Sequence, residues 1–515
     1  VSGLDAGGED RDDVAIEAAQ AHSAVTGGWP CKPCALAVTT ALSAILVATA
    51  ACRPREPRGP ASVVLISVDT LRADRLNCYG YKRRTLTPQI DRLAADGVLF
   101  ENHVAASPWT TPSHLSLLTS LSPSAHGVTR SFAQLDRDLR RGEFERLADE
   151  HETLAEALAR HGYATAAFTG GATMDPRIGF DQGFASYDTS MAKLSEAGLG
   201  ALLAFVAARR EAPFFLFWHS FEVHAPYLDT RFASQVLATE RSMHLAEALA
   251  GLAAGKGVSQ AADAQRALLK REGLFTRRVC AALYDGGVAS VDRWIGALLD
   301  DLRRRGLYQR ALIVLTSDHG EQLGERDGRF FNTHGHNLHE EMLRVPLIVK
   351  LPGQRHAGRR VAAVTRAIDV MPTILDLLDL PAVPRLQGAS LRPLLSGGAE
   401  PARQAFSEAL AFEDEAKSLR GERYKFALRV GAEHVARHGR AAVPEQLAAR
   451  ELYDLEADPG ETENLLEAPD PERERLAARL EVELRRLAAE RVGQAARTQL
   501  DPEALEAIRA LGYAQ

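Results

Sequence analysis

The sequence predicts an α/β fold: a mostly parallel sheet flanked by helices, followed by a small C-terminal antiparallel sheet with a helix. Three observations predict it. Continuous apolar runs recur at 63–69 (VVLISVD), 213–219 (PFFLFWH) and 311–320 (ALIVLTSDHG), and runs of this kind suit strands buried on both faces. Segments with helical patterning separate them, the alternation that builds a parallel sheet. Past about residue 385 the pattern changes to short strand-like stretches, QAFSEAL, SLRGERYKFALRV and ARELYDL.

Taken in order, residues 1–30 are acidic, rich in Gly and Ala, and read as a disordered leader. No Met precedes Met174, so Val1 reads as a non-Met start codon and the leader as an extension upstream of the true start. Residues 31–52 carry Lys32 and an apolar run from Ala35 to Ala51, a signal-type segment, and Cys52 after TAA resembles a lipoprotein cleavage box. An exported bacterial protein is expected, anchored in the membrane by lipid at Cys52 and facing the periplasm or the cell surface; plain secretion or an uncleaved anchor is the alternative. Cys31 and Cys34 have no second pair nearby and read as incidental. Residues 53–61 (RPREPRGPA) read as a stiff tether.

Residues 62–384 form the expected catalytic domain. In it, 87–97 (TPQIDRLAADG) reads as a helix with Thr87 as cap, Pro88 in the first turn and Gly97 as stop. The stretch 108–119 (PWTTPSHLSLLT) reads as a turn and an amphipathic helix, with Thr111 as its cap. Residues 290–306 read as a helix closed by arginines and Gly306. A helical insert at 229–275 is either a substrate-selecting lid or a solvated decoration. Residues 385–470 form the C-terminal subdomain, and 471–515 two helices, the second capped by Asp501 with Pro502 in its first turn.

The 515 residues are 46% hydrophobic and 25% charged, enough for one large domain and a smaller one. A net charge of −7 and 6% aromatic residues carry no footprint of nucleic-acid binding. Five cysteines are too few and too scattered for a disulfide framework.

In a parallel sheet the ligand site lies beyond the carboxyl ends of the strands. The first run ends on Asp69. The second ends on His219, with Glu222 and His224 beyond it, and the third on Asp318 and His319. Three strand exits rich in metal-ligating residues predict a metal site. The loop after the third run holds His334, His336 and His339, then Glu340 and Glu341, before a strand at VPLIVKL, so it can fold back over the same site.

Several motifs, in order, resemble the sulfatase family within the alkaline phosphatase superfamily: LISVDTLRADRLNCYGY, TPQIDRLAADGVLFENHVAASPWTTPSHLSLLTSLSPSAHGV, FLFWHSFEVHAPY, LTSDHGEQLGE, HGHNLHEEMLRVPLIVKLPG and ELYDLEADPGETENL. The resemblance runs from about Val63 to Leu466 and implies an alkaline-phosphatase-like fold. The departures are specific. The family signature is Cys or Ser, any residue, Pro, any residue, Arg, with the Cys or Ser converted to formylglycine. Aligned on Pro112, the nucleophile position is Thr110 and the Arg position is His114. Thr is not a formylglycine precursor. The second acidic ligand of the first strand is replaced by Thr70, the amide after Asp318 by His319, and the family's Lys-x-His by TGGATMD at 169–175.

An imidazole in place of an oxygen ligand moves the preference from Ca²⁺ toward Zn²⁺ or Mn²⁺. A Thr nucleophile beside an Asp–His pair resembles the nucleotide pyrophosphatase/phosphodiesterase and phosphoethanolamine transferase branches. The resemblance thus implies one or two divalent ions, one of them on Asp69, Thr110, Asp318 and His319, with Thr110 attacking. His224, with His336 or His334, would bind a second ion, or hold the non-bridging oxygens and protonate the leaving group. His114 either supports the anion or stacks in the helix. His219 and Glu222 are supporting candidates, His339 and Cys78 structural ones, and His103 and His126 take no role. The expected activity is metal-dependent hydrolysis or transfer of phosphate, phosphonate or sulfate esters, on a small or a lipid- or glycan-linked substrate. The alternatives are a sulfatase working without formylglycine and a catalytically inactive binding protein.

Overall fold

Val64, Ile66 and Val68 pack into one hydrophobic core, and Val63 and Leu65 into a second. Strand β1 (Val63–Val68) is therefore buried on both faces, and its alternating side chains anchor a layer of helices on each side. The computed structural model of the chain describes residues 61–129, 143–170, 172–191, 193, 195–209, 211–253, 258–326, 331–410, 415–431 and 448–499. The leader, the apolar segment with Cys52, the tether up to residue 60, positions 254–257 of the insert and the helix expected at 501–515 lie outside the described residues. Among the described residues no helix is long and apolar enough to cross a membrane.

Strands β2 (Val98–Val104), β3 (Ala164–Phe168), β4 (Ser186–Asp188), β5 (Phe214–Ser220), β6 (Leu312–Thr316), β7 (Arg344–Lys350) and β8 (Arg359–Arg366) complete an eight-stranded sheet in the order β8-β2-β7-β6-β1-β5-β3-β4. All neighbours run parallel except β7, which is antiparallel to both β2 and β6. The mostly parallel sheet is as the sequence predicts. The three apolar runs are its central strands β1, β5 and β6, and all three exits open at the same end.

Helices α1 (Pro88–Ala95), α4 (Glu196–Ala207) and α7 (Arg277–Arg304) cover one face, while α2 (Thr110–Thr119), α3 (Leu154–Arg160) and α8 (Val370–Leu377) cover the other. Thr87 takes the cap position of α1 with Pro88 in its first turn, as expected, though its Oγ1 accepts from the Asn77 amide at 3.0 Å rather than from the helix. One helix expectation needs correction. Helix α7 starts at Arg277 rather than near 290, because Thr276 caps it, its side chain accepting from the Val279 N–H at 3.4 Å. Gly286 and Gly287 hide that earlier start, since glycine weakens a helical pattern. Both are needed: a Cβ would lie 2.0 Å from the Asp229 carbonyl oxygen at Gly286, and 2.8 Å from that of Glu222 at Gly287. The loop that carries His224 thus lies directly on α7. The insert forms α5 (Thr239–Ala253) and α6 (Val258–Arg271), and Gln265 exchanges hydrogen bonds of 2.9 and 2.8 Å with the Tyr227 backbone.

The small sheet follows: β9 (Ala405–Ala409), β10 (Glu415–Arg420), β11 (Tyr424–Val430) and β12 (Ala448–Asp454), antiparallel in sequential order. Helix α9 (Pro471–Ala489) packs Ala477, Leu480 and Leu484 against it. Asp470 caps α9, accepting from the Glu472 and Arg473 amides at 2.8 and 3.2 Å.

Candidate active site

The end of β1 is held by hydrogen bonds that aim Asp69 inward. Thr70 adopts a left-handed conformation, φ 58°. Its amide donates to Asp318 Oδ1 at 3.2 Å, its hydroxyl to the Asp69 carbonyl at 2.7 Å, and its own carbonyl accepts from the Tyr284 hydroxyl at 2.7 Å. At the end of β6 the His319 amide donates to Asp318 Oδ1 at 2.9 Å. His319 Nδ1 lies 2.9 Å from the Gly320 carbonyl, a contact that orients the ring and turns Nε2 toward the cluster. That nitrogen is 3.3 Å from Asp318 Oδ2 and 3.3 Å from Thr110 Oγ1.

Thr110 is the first residue of α2, and its hydroxyl donates to Asp69 Oδ2 at 3.4 Å. The helix is buried nearly all round, so the amphipathic expectation for it does not hold. Thr111 is not its cap: the cap position is Trp109, and Thr111 Oγ1 donates to the Thr173 carbonyl at 2.7 Å. Thr173 belongs to the segment that stands in place of the family's Lys-x-His.

Asp69, Asp318 and His319 bring donor atoms within 4.8 Å of one another, as do His114, His219 and Asp318. Asp69 Oδ1, Asp318 Oδ2 and both ring nitrogens of His219 are buried without a hydrogen bond among the described residues. Buried acceptors left unpaired are costly, and the two carboxylates, which with His319 bring donor atoms within 4.8 Å of one another, fit a divalent cation bound to Asp69, Asp318 and His319. Without an ion, burial pushes the Asp69 carboxyl above its usual range, against the pull of His319 and His334.

His114 sits behind Thr110. Its Nδ1 is 3.0 Å from the Thr110 carbonyl and 3.5 Å from Asp318 Oδ2, and its Nε2 is 2.8 Å from Ser67 Oγ. Burial holds its pKa down at about 3, so it braces Thr110 as a neutral ring. The His219 ring meets it edge-on, 4.6 Å between centroids, with Nε2 3.2 Å from Asp69 Oδ2.

The histidine-rich loop folds over this centre. The His334 ring lies 4.6 Å from that of His319 and 5.1 Å from that of His224. His334 Nδ1 is 3.1 Å from Glu321 Oε1. Burial opposes its protonation, but Glu321, Asp69 and Asp318 together outweigh burial and lift its pKa above the ordinary value. Burial, His334 and Lys193 hold His224 well below the ordinary value. His336 is half-buried beyond His334, its carbonyl accepting from Arg429 Nη1 at 3.4 Å.

Sequence reasoning missed two residues. Lys193 Nζ donates to the carbonyls of Phe221, Glu222 and His224 at 2.6, 3.4 and 2.7 Å, tying down the His224 loop. Burial brings its pKa down to about 8. Glu321 orients His334 and accepts from the Tyr227 hydroxyl at 3.1 Å; its place two residues after His319 was the available signal. Glu222 contributes its backbone carbonyl. His103, His126 and His339 make contacts away from Thr110, with Thr365, the Pro112 carbonyl and Glu461 respectively. Cys78 is half-buried in the layer under α1.

Residues 61–380 match the family described as Sulfatase, and residues 328–490 the one described as N-sulphoglucosamine sulphohydrolase, C-terminal. Steryl-sulfatase of Mus musculus is 29% identical over 450 residues, covering 73% of this chain and 71% of that protein. The crystal structure of phosphonate monoester hydrolase of Agrobacterium radiobacter superposes with a TM-score of 0.58 at 24% identity, over 84% of this chain and 96% of that one. A protein solved with its substrate D-glucosamine-2-N,6-O-disulfate superposes with a TM-score of 0.60 at 20% identity, over 84% and 98%. The fold, the strand-end cluster and a match over more than half its length agree: the chain belongs to the sulfatase family, ester hydrolases of the alkaline phosphatase superfamily.

Proposed function

We propose that this chain cleaves sulfate, phosphate or phosphonate esters in two displacements, with the Thr110 hydroxyl as the attacking group. One observation carries the reading: Thr110 Oγ1 lies 3.4 Å from Asp69 Oδ2 and 3.3 Å from His319 Nε2, at the first turn of a buried helix. Asp69, Asp318, His319 and Thr110 would hold a divalent cation, whose charge favours the ionised Thr110 hydroxyl at neutral pH. The imidazole ligand favours Zn²⁺ or Mn²⁺ over Ca²⁺.

The first turn of α2 leaves backbone N–H groups outside the helix ladder, aimed at the anion that forms beside Thr110. In the first displacement Thr110 Oγ1 bonds to sulfur or phosphorus, and the bond to the ester oxygen breaks. The departing alcohol takes its proton from His334, which Glu321 orients and His224 flanks. Water then attacks the same sulfur or phosphorus atom. The proton it gives up returns to the histidine pair, and Thr110 is restored. His114 and His219 pack behind the nucleophile and hold it and Asp69 in place.

Family membership supports sulfate esters as one substrate class. The Thr110 and His319 replacements support phosphate and phosphonate esters as the other. The apolar segment ending at Cys52 supports an exported, lipid-anchored enzyme. The test is turnover of aryl sulfate, phosphate monoester, phosphate diester and phosphonate substrates with Zn²⁺, Mn²⁺ or Ca²⁺, with mass spectrometry of the quenched Thr110 peptide. A sulfo or phospho group on Thr110 is expected. A formylglycine at residue 110, or turnover that survives Thr110→Ala, overturns the reading.

A further inference from the structure

Helix α6 of the insert reaches toward the active site through one buried side chain. The Gln265 amide pairs in both senses with the Tyr227 main chain: Oε1 accepts from the Tyr227 N–H at 2.9 Å, and Nε2 donates to the Tyr227 carbonyl at 2.8 Å. A primary amide offers a donor and an acceptor together, as the peptide groups it meets require. A carboxylate of the same shape has no donor and would turn a lone pair toward the Tyr227 carbonyl.

Tyr227 passes this constraint on in two directions. Along the chain, it lies three residues after His224, in a segment that Lys193 holds from the other end by the carbonyls of Phe221, Glu222 and His224. Through its side chain, its hydroxyl donates to Glu321 Oε2 at 3.1 Å, while Glu321 Oε1 faces His334 Nδ1 at 3.1 Å. Tyr227 and Glu321 are both fully buried, and the Tyr227 ring meets that of Tyr284 edge-on, 5.9 Å between centroids. The two oxygens of Glu321 are thus divided, one to the tyrosine and one to the histidine. Without the tyrosine donor a buried carboxylate oxygen is left unpaired, which is costly. Rotation about the last glutamate torsion, whose preference is broad, relieves that cost and takes Oε1 away from His334.

We infer that Gln265 is a positioning residue for His334: the insert sets the orientation of that ring through the Tyr227 main chain, the Tyr227 hydroxyl and Glu321, and steadies His224 by the same grip. The insert then serves as a brace on the histidine pair, a role distinct from both a lid and a solvated decoration. The inference rests on the acid role proposed above for what His334 does to the ester, but not for how the ring is held.

Three full-chain variants test it, Gln265→Glu, Gln265→Ala and Tyr227→Phe, each checked for folding by circular dichroism; Gln265→Glu is isosteric. Hydrogen exchange followed by mass spectrometry reads the brace without turnover. Both Gln265 variants should speed exchange in residues 221–229 and also in 331–338. Tyr227→Phe keeps the main-chain pairing, so it should speed exchange in 331–338 alone. The kinetic probes are the 4-nitrophenyl and 4-methoxyphenyl esters of sulfate, phosphate and phenylphosphonic acid. On the acids that the unmodified chain releases, kcat/KM of each variant should fall about tenfold for the 4-methoxyphenyl ester and less than about threefold for the 4-nitrophenyl ester, because a general acid contributes its roughly 10²–10⁴-fold only where the leaving group needs a proton. A residue that merely supported the fold would lower both esters equally. Faster exchange confined to 221–229 in the Gln265 variants, or equal losses on the two esters, overturns the inference. Turnover of no ester by the unmodified chain would instead overturn the catalytic reading and leave the exchange result standing.

Discussion

His319 Nε2 faces Thr110 Oγ1 at 3.3 Å because the other ring nitrogen is committed to the Gly320 carbonyl at 2.9 Å. The ring is thereby turned so that Nε2 points to the hydroxyl and to Asp318. Two neighbouring threonines consequently have separate jobs. Thr110→Ala should remove nearly all turnover, and Thr110→Ser should keep a measurable rate. Thr111→Ala should stay active and lose about 0.5–1.5 kcal/mol of stability, the worth of its bond to the Thr173 carbonyl. Steady-state kinetics and urea unfolding of the three variants check this. An inactive, folded Thr111→Ala beside an active Thr110→Ala would reassign the nucleophile.

Elemental analysis of the purified protein should find Zn²⁺ or Mn²⁺ in stoichiometric amount. His319→Ala should lower metal content outright. His219→Ala should weaken metal affinity by roughly 10- to 100-fold, because its ring lies 3.2 Å from Asp69 Oδ2 and helps hold it. Stoichiometric calcium with no transition metal would contradict the imidazole-based selectivity.

His334 carries the proton in the proposed chemistry, so its loss should depend on how much help the leaving group needs. His334→Ala should slow alkyl esters about 10²–10⁴-fold and 4-nitrophenyl esters far less. Equal losses on both substrates would take the acid role away from His334.

Acid stability should trace to Glu461. Lys425 is buried, with its Nζ 2.8 Å from Glu461 Oε1, and the Glu340 amide donates to Glu461 Oε2 at 2.6 Å. Burial works to raise the Glu461 pKa, but Lys425 and His339 outweigh it and bring it from 4.5 to about 2. A depressed carboxyl stabilises the fold above its unfolded pKa, and that share is lost as pH falls from about 4.5 toward 2. Glu461→Gln should destabilise by about 1.5–3 kcal/mol at pH 7, since Lys425 loses the nearer of its two carboxylates and keeps Glu340 at 3.2 Å. It should also flatten the loss between those pH values. Denaturant titrations across that range check both; a variant with unchanged acid sensitivity would place the effect elsewhere.

Much of this was readable before any coordinates. Strands β1, β5 and β6 announce themselves because burial on both faces leaves uninterrupted apolar runs, and Asp69, Asp318 and His319 stand out as polar residues where those runs stop. Lys193 was invisible, since its role depends on three carbonyls that only folding brings around it. The choice between His334 and His336 was equally closed: they lie two residues apart in one loop, and the stacking of His334 on His319 is decided by the loop's path. Thr111 misled because a hydroxyl at a helix start is usually a cap, and here a tertiary acceptor, the Thr173 carbonyl, takes its proton.

Strand β7 re-enters the sheet antiparallel to β6, with Leu347 opposite Thr316. The chain that departs after Thr316 therefore comes home on the neighbouring rail. Everything between, including His334 and Glu341, is an excursion whose two feet are stapled side by side. Such an excursion can be lengthened, shortened or exchanged while its anchors stay fixed, as a hairpin tip can. Related chains can thus acquire new substrate preferences by rewriting the rest of this cassette, with Asp318, His319, Glu321 and His334 left undisturbed.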